Sequence, residues 1–155
     1  MTRAYLSLGS NLGHREEHLA AGIAVVAAGE PCRVSPVYET SPVGGVAQGP
    51  FLNVVVELRT EATPHELLER CRAAEAAAQQ VRTVRNGPRT LDADVLLVGD
   101  LVVDDAELTV PHPRMYQRRF VLQPLADLDA SLVDPDLLAA AEGEVVLVGT
   151  LSGFH

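Results

Sequence analysis

Lysine is missing from this chain of 155 residues, and its absence excludes several common chemistries. All twelve basic residues are arginine. A Schiff-base lysine, the lysine of a Walker phosphate loop and the strand lysine of protein kinases are therefore excluded. Tryptophan is also absent, and there are only three phenylalanines and three tyrosines. So few aromatic side chains argue against an RNA-binding module that stacks bases.

Long apolar runs and paired cysteines are lacking as well. No apolar run approaches the ~20 residues that a membrane-spanning helix needs, and the sequence after Met1 lacks the apolar segment of a signal peptide. Cys32 and Cys71 lie within apolar patterns without the spacing of a metal site, which is typical of buried thiols in a reducing compartment. We therefore expect a cytoplasmic protein whose residues 1–155 form a single domain.

The net charge is −9 at pH 7, and the positive charges are unevenly distributed. An acidic protein has little general affinity for nucleic acid or anionic membranes, so we expect a monomer with small-molecule partners. Half of the arginines lie in one quarter of the chain, namely Arg82, Arg85, Arg89, Arg114, Arg118 and Arg119. Because guanidinium groups bind phosphate oxygens in pairs, this cluster indicates a polyanionic ligand, although scattered surface arginines remain an alternative.

Strands are predicted from alternating or continuous apolar residues bounded by turns. They cover residues 3–8, 32–39, 51–59 and 91–98. Pro36 lies inside the second strand and favours an edge or an irregular stretch there. Residues 101–103 are expected to pair with the last strand around a turn at residues 99–100.

Helices are predicted between these strands. Leu19, Ile23 and Val26 form one apolar stripe, and a capping box of Thr63 and Glu66 begins a helix that runs to about residue 78. The resulting order, β-α-β-β-α-β, predicts an α+β protein with a ferredoxin-like core, an antiparallel sheet with helices on one face. A helix over residues 114–125 is expected in a C-terminal elaboration.

Asp92 and Asp94 stand two residues apart in an apolar strand. Their side chains therefore share one face, where a divalent cation would relieve their repulsion. Magnesium commonly binds one or two carboxylates together with phosphates. Two solvated aspartates fit the strand pattern equally well when it is taken alone. The arginines just upstream favour the metal site, because phosphoryl transfer needs that combination, and His112, Arg114 and Arg118 are further candidates for phosphate contacts.

A second candidate site lies on the strand that begins at Phe51. Phe51 and Asn53 share one face of this strand. An aromatic ring beside an amide can stack a flat heterocycle and bind the donors and acceptors on its edge. An ordinary core phenylalanine is the alternative.

Five blocks of sequence, in this order and spacing, resemble one known family. The blocks are residues 9–12 (GSNL), 38–44 (YETSPVG), 51–53 (FLN), 87–94 (GPRTLDAD) and 110–115 (VPHPRM). The chain closely resembles the 6-hydroxymethyl-7,8-dihydropterin pyrophosphokinase family of folate biosynthesis. This resemblance implies an enzyme that transfers pyrophosphate from ATP to the hydroxymethyl group of the pterin and releases AMP.

The resemblance also implies how ATP is bound. Asp92 and Asp94 would hold two magnesium ions that bridge to ATP, and together with Arg82 and Arg89 they would form the catalytic set. The residues implied to contact ATP are Arg82, Arg89, Val95, His112 and Arg118.

For the pterin, the resemblance implies a sandwich between two aromatic rings. Phe51 and Phe120 would provide the rings, and Asn53 would bind the edge of the pterin. Backbone groups around Thr40 and Val43 would complete the substrate contacts.

The chain departs from the commoner family pattern mainly in the arginine-rich loop, which is shorter. Many members carry other residues at Ser41, Gln80, Thr83, Asn86 and Pro113. We interpret these departures as variation in loop closure and ATP affinity. Both this loop and the one after residue 40 correspond to family loops that close over the substrates and exclude water.

Two other functions fit parts of the sequence. His14 and His18 match the H-x-x-E-H pattern of some zinc hydrolases, but they start a predicted helix and have no evident third ligand. A non-catalytic ferredoxin-like binding module is the second alternative.

Overall fold

The structure is a computed structural model that describes residues 1–11, 14–40, 51–79 and 91–151. Its strands are β1 (Thr2–Ser10), β2 (Cys32–Val34), β3 (Val37–Thr40), β4 (Phe51–Thr60), β5 (Asp92–Val98), β6 (Val103–Asp104), β7 (Thr109–Val110) and β8 (Val145–Gly149). Its helices are α1 (Arg15–Ala27), α2 (Pro64–Gln79), α3 (Arg119–Leu128) and α4 (Pro135–Ala140), with short 3₁₀ turns at Met115–Gln117 and Ala130–Leu132.

The main sheet has the strand order β5-β1-β4-β3-β8, and β2 pairs with β4 beside β3. All of these pairings are antiparallel. The central strand β1 aligns Gly9 with Asn53 of β4 on one side and with Asp92 of β5 on the other. The ferredoxin-like α+β core predicted from the sequence is confirmed.

The two faces of the sheet are covered by different helices. Leu6, Leu8 and Val54 are fully buried in a core cluster with residues of α1 and α2. The alternate positions face the other way, so that Val55 of β4 packs with Leu122 of α3. The prediction of helices on one face thus holds for α1 and α2, whereas the C-terminal elaboration lies against the opposite face.

The predicted second strand is interrupted where Pro36 was expected to disturb it. Pro36 has no N–H to donate to a ladder, and the chain forms β2 and β3 on either side of it. Ser35 bridges the interruption, because its backbone N–H donates to the Val55 carbonyl and its Oγ accepts from the Val55 N–H, each at 2.9 Å.

The predicted pairing of residues 101–103 with β5 is wrong. The short strand β6 pairs with β7 instead, as Val103 lies opposite Val110. The cause is a side-chain turn at Asp105, whose carboxylate accepts hydrogen bonds from the backbone N–H groups of Glu107 and Leu108.

The helix predicted over residues 114–125 is also divided. A 3₁₀ turn at Met115–Gln117 precedes α3, and Arg118 between them is extended, with φ −113° and ψ 112°. This break directs Arg118 and Phe120 toward the sheet face that α1 and α2 leave uncovered.

Candidate active site

A cavity of about 530 Å³ lies on the α3 side of the sheet, where β1, β4 and β5 approach the start of α3. Its walls combine carboxylates, two side-chain amides, two aromatic rings and two guanidinium groups. The lining residues are Ser7, Gly9, Thr40, Phe51, Asn53, Asp92, Asp94, Arg114, Gln117, Arg118, Phe120 and Glu142.

The floor of the cavity is acidic because side chains alternate along β5 and place Asp92 and Asp94 on the same face. Asp94 lies opposite Ser7, and Asp92 lies opposite Gly9. Both carboxylates therefore occupy the same face, as the sequence predicts. Their neighbours Ala93 and Val95 point to the helix-covered face and belong to its core. The side chain of Val95 is thus directed away from the cavity, and its implied contact with ATP stays a prediction.

Asn53 is a buried amide with only 4% of its surface exposed. Its Nδ2 donates to the hydroxyl oxygen of Thr40 at 2.8 Å. This hydrogen bond fixes the orientation of the amide at the cavity wall. Thr40 belongs to the same wall, so the structure brings these two predicted residues together.

Gly9 is required by the close approach of the Asn53 side chain. A Cβ at this position would lie 2.7 Å from Asn53 Oδ1, far inside van der Waals contact. Only glycine lets the amide lie against β1. A glycine inside a strand is the sequence signal for such an approach.

Two aromatic rings line the cavity, and neither is fully buried. Phe51 and Phe120 are each half-buried, so the interpretation of Phe51 as an ordinary core phenylalanine is not supported. The guanidinium carbon of Arg118 lies 5.6 Å from the centre of the Phe120 ring. At that distance the cation is attracted by the face of the ring, which orients both side chains at the cavity.

His112 is held close to the acidic floor. Its backbone N–H donates to the Leu96 carbonyl at 3.0 Å, and its Nδ1 accepts from the Arg114 N–H at 3.1 Å. Burial lowers the pKa of His112, and the charges of Arg118 and Arg114 act in the same direction while Asp94 opposes them. The ring is therefore neutral at pH 7 and carries its proton on Nε2, which can donate to an oxygen.

The two aspartates suit a magnesium ion that is shared with a ligand. Asp92 is half-buried and Asp94 is exposed to the cavity. Within the described ranges there is no group of three or more acidic, histidine or cysteine side chains that could enclose a metal. A hard cation bound here would need additional oxygens from water or phosphate, as magnesium commonly takes. The donor set therefore fits the implied metal.

Comparison with known proteins identifies the family. Residues 5–130 match the family model described as 7,8-dihydro-6-hydroxymethylpterin-pyrophosphokinase (HPPK). The chain belongs to this family.

Individual relatives agree with the HPPK assignment. The chain is 47% identical to the 2-amino-4-hydroxy-6-hydroxymethyldihydropteridine pyrophosphokinase of Bacillus subtilis, over 81% of this chain and 77% of that one. It is 42% identical to the protein of the same name from Pseudomonas aeruginosa, over 92% of this chain and 93% of that one. These comparisons support neither the zinc hydrolase nor the non-catalytic module.

The fold agrees with a solved HPPK-DHPS structure in complex with substrates. That structure superposes with a TM-score of 0.61 at 13% sequence identity. The match covers 82% of this chain but only 40% of the longer one. At this identity the comparison shows a shared fold.

Several predicted residues of this HPPK chain cannot be compared with the cavity. Val43, Arg82 and Arg89 lie outside the described residues, as do the family departures at Ser41, Gln80, Thr83 and Asn86. Pro113 is described and lies exposed in the turn before the 3₁₀ segment.

Four lining residues of the HPPK cavity were not predicted as site residues, namely Ser7, Gly9, Gln117 and Glu142. Ser7 could have been found, because it alternates with Gly9 on β1 and faces Asp94. Gln117 and Glu142 carry no local signal. They reach the cavity because the backbone of Glu142 pairs with the turn before α3.

Proposed function

We propose that this enzyme transfers the pyrophosphoryl group of ATP to 6-hydroxymethyl-7,8-dihydropterin. In this reaction the hydroxymethyl oxygen forms a bond to the β-phosphorus, and the bond between that phosphorus and the oxygen bridging to the α-phosphate breaks. AMP leaves with the bridging oxygen, and the hydroxyl proton is released. The observation that carries the proposal is a single cavity in which an acidic floor lies beside an amide and two aromatic rings.

The pterin is proposed to lie between Phe51 and Phe120. A flat heterocycle stacks on aromatic faces, and both rings line the same cavity. Asn53 is proposed to bind the edge of the pterin, since Thr40 already holds its Nδ2. Its amide oxygen and remaining N–H can then recognise a ring that presents both donors and acceptors. Because Asn53 is almost fully buried, it would discriminate strongly against a ring with the wrong pattern.

The triphosphate is proposed to lie over Asp92 and Asp94, and these two carboxylates would hold magnesium. Magnesium would neutralise phosphate charge and polarise the transferred group. Arg118 and the Nε2–H of His112 are proposed to orient phosphate oxygens, since Arg118 lines the cavity and His112 interacts electrostatically with Asp94 of its floor. Arg82 and Arg89 are proposed to contact the phosphates from outside the described residues, on the strength of the family motif alone.

We further propose that the enzyme acts in the cytoplasm as a single-domain monomer on small molecules, without nucleic acid or membrane partners. Both cysteines are free thiols, and burial raises the pKa of Cys71 to about 12. An unreactive buried thiol is in keeping with a reducing compartment. In the part of the chain that the structure describes, no helix is long and apolar enough to span a bilayer.

Product analysis tests the proposed reaction. The enzyme is incubated with ATP, magnesium and 6-hydroxymethyl-7,8-dihydropterin, and the nucleotides are separated. We expect AMP and a pterin diphosphate in equal amounts, and neither product when magnesium is chelated. ADP as the main nucleotide would contradict the proposal, because it means that a single phosphoryl group was moved.

A further inference from the structure

Arg119 lies between two residues of the cavity wall but does not line the cavity itself. Its side chain instead donates to two backbone carbonyls of the C-terminal region. Nη1 donates to Gly143 at 2.6 Å, and Nη2 donates to Ala139 at 3.1 Å. The guanidinium thus connects the start of α3 both to the last turn of α4 and to the turn that follows it.

Backbone hydrogen bonds join the same two segments. The Arg119 N–H donates to the Glu142 carbonyl at 3.1 Å, and the Glu142 N–H donates to the Gln117 carbonyl at 2.9 Å. These bonds lie on either side of Arg118, whose extended backbone forms an isolated bridge with Glu142. The direction of the Arg118 and Phe120 side chains therefore depends on where the turn is held.

The turn continues directly into the opposite wall of the cavity. After Gly143 the chain enters β8, where Val145 lies opposite Thr40 of β3. Thr40 in turn accepts the hydrogen bond of Asn53. Residues 142–145 thus link the wall that carries Phe120 to the wall that carries Asn53, and Arg119 fastens one end of this link.

We infer that Arg119 is a positioning residue. By holding the Glu142–Gly143 turn against the start of α3, it sets the distance between the cavity wall that carries Phe120 and the wall that carries Asn53. The inference rests on the proposed function for its effect on catalysis. A guanidinium fork suits this role, because it bonds two carbonyls at once in a fixed geometry. Small displacements of a positioning group lower the rate of a reaction that depends on orientation.

Two substitutions weaken the same link from its two sides. Arg119→Ala removes both side-chain bonds. Gly143→Ala strains the acceptor, since Gly143 has φ +99° and any other residue is disfavoured there. We expect each variant to lower kcat/KM for the pterin by about tenfold. The two effects should be less than additive in the double variant, because both act through one contact. Arg119→Lys, which can still reach one carbonyl, should recover part of the loss.

Gly29→Ala is a matched control. Gly29 also has a positive φ, of +79°, and like Gly143 it has no atom within 4 Å of a built Cβ. It lies at the end of α1 on the helix-covered face. The strain of the substitution is therefore similar, but the position is remote from the cavity. We expect Gly29→Ala to lower the melting temperature as Gly143→Ala does and to leave kcat/KM unchanged.

The position of the cavity wall that carries Phe120 can be followed by ¹⁹F NMR without any substrate. The chain contains only three phenylalanines, Phe51, Phe120 and Phe154, so incorporation of 4-fluorophenylalanine gives three ¹⁹F resonances that Phe→Leu variants assign. In folded Arg119→Ala and Gly143→Ala, the Phe120 resonance should shift or broaden while that of Phe51 stays in place. In Gly29→Ala both should match the wild type.

An unchanged Phe120 resonance in folded Arg119→Ala would overturn the inference, as would a kcat/KM no lower than that of Gly29→Ala. If Arg119→Ala does not fold, Gly143→Ala and Arg119→Lys decide by the same two measurements. If the wild-type protein makes no pterin diphosphate, the proposed function is wrong, whereas the inference about Arg119 is still open to test. The ¹⁹F comparison would then decide alone whether Arg119 positions this wall.

Discussion

The two faces of the central sheet are built by alternate residues of the same strands, yet they differ in almost every property. On β1, Leu6 and Leu8 point to α1 and α2 and are completely buried. The neighbouring Ser7 and Gly9 point to the other face and line the cavity. The first face is a packed apolar core, whereas the second carries the polar cavity beside a second apolar cluster under α3.

The second face is itself divided into two ends along the direction of its strands. At one end Glu57 is satisfied within the protein, because Tyr5 donates to it at 2.8 Å and Arg33 donates to both of its oxygens. At the other end Asn53 and the two aspartates open into the cavity. Polar groups thus bind one another within the protein at one end and line the cavity at the other. Substitutions should separate these roles.

The largest loss of activity is expected from a substitution in the acidic floor of the cavity. Asp94→Ala should lower kcat by at least about a hundredfold, or 2.7 kcal/mol in the barrier, while thermal stability stays the same or rises because like charges no longer face each other. Steady-state kinetics and calorimetry measure both. Asp100→Ala, an exposed aspartate in the turn after β5, is the control and should change neither. Retention of more than about a tenth of the activity, 1.4 kcal/mol, would rule out the metal role of Asp94.

The helix-covered face should show the reverse pattern. Leu8→Ala should destabilise the protein by about 2–5 kcal/mol, since a fully buried leucine leaves a cavity in a packed core. The folded fraction should keep its kcat. Leu147→Ala, at a side chain that is 62% exposed, should cost less than about 0.5 kcal/mol. Denaturant unfolding compares the two variants, and equal losses would contradict the assigned core.

Alanine substitutions at two glycines compare the two faces of the sheet directly. A Cβ on Gly9 would meet Asn53 Oδ1 at 2.7 Å, and one on Gly22 would meet Leu91 Cδ2 at the same distance. Gly9→Ala should therefore weaken pterin binding by about tenfold through the displaced amide. Gly22→Ala should reduce stability by about 1–3 kcal/mol from overpacking and spare pterin affinity. Titration calorimetry with the pterin measures the contrast, and loss of pterin binding in Gly22→Ala alone would reverse the assignment of the faces.

The smallest effect is expected at Glu57 and appears with pH. The hydrogen bond from Arg33 holds the pKa of Glu57 below its ordinary value of 4.5, with help from Tyr5 and against the effect of burial. A lowered pKa contributes stability above pH 4.5 that is lost as the pH falls through the pKa of the folded state. Glu57→Gln should therefore unfold more easily at pH 7 and show a shallower loss of stability below pH 4.5. Glu69→Gln, at the exposed partner of Arg72, should keep the wild-type slope.

Local sequence patterns were sufficient for the parts of the structure that depend on neighbours in the chain. Alternation along β5 put Asp92 and Asp94 on one face, and Pro36 marked the interruption between β2 and β3. Long-range pairing was not predictable in this way. Glu142 reaches the cavity only because its backbone pairs with a segment about 25 residues earlier. The turn at Asp105 depended on a side-chain cap that outweighed the expected hairpin after β5.

The transfer of phosphorus itself is the most direct test of the account. Release of AMP alone can come from simple ATP hydrolysis, so the decisive measurement uses ATP labelled at the β-phosphorus. With magnesium and 6-hydroxymethyl-7,8-dihydropterin, the account predicts that this label moves to the pterin and that the remaining nucleotide, AMP, is unlabelled. A β-label that stays with the nucleotide, or that appears only in free pyrophosphate, would contradict the assignment of the cavity as the site of pyrophosphoryl transfer.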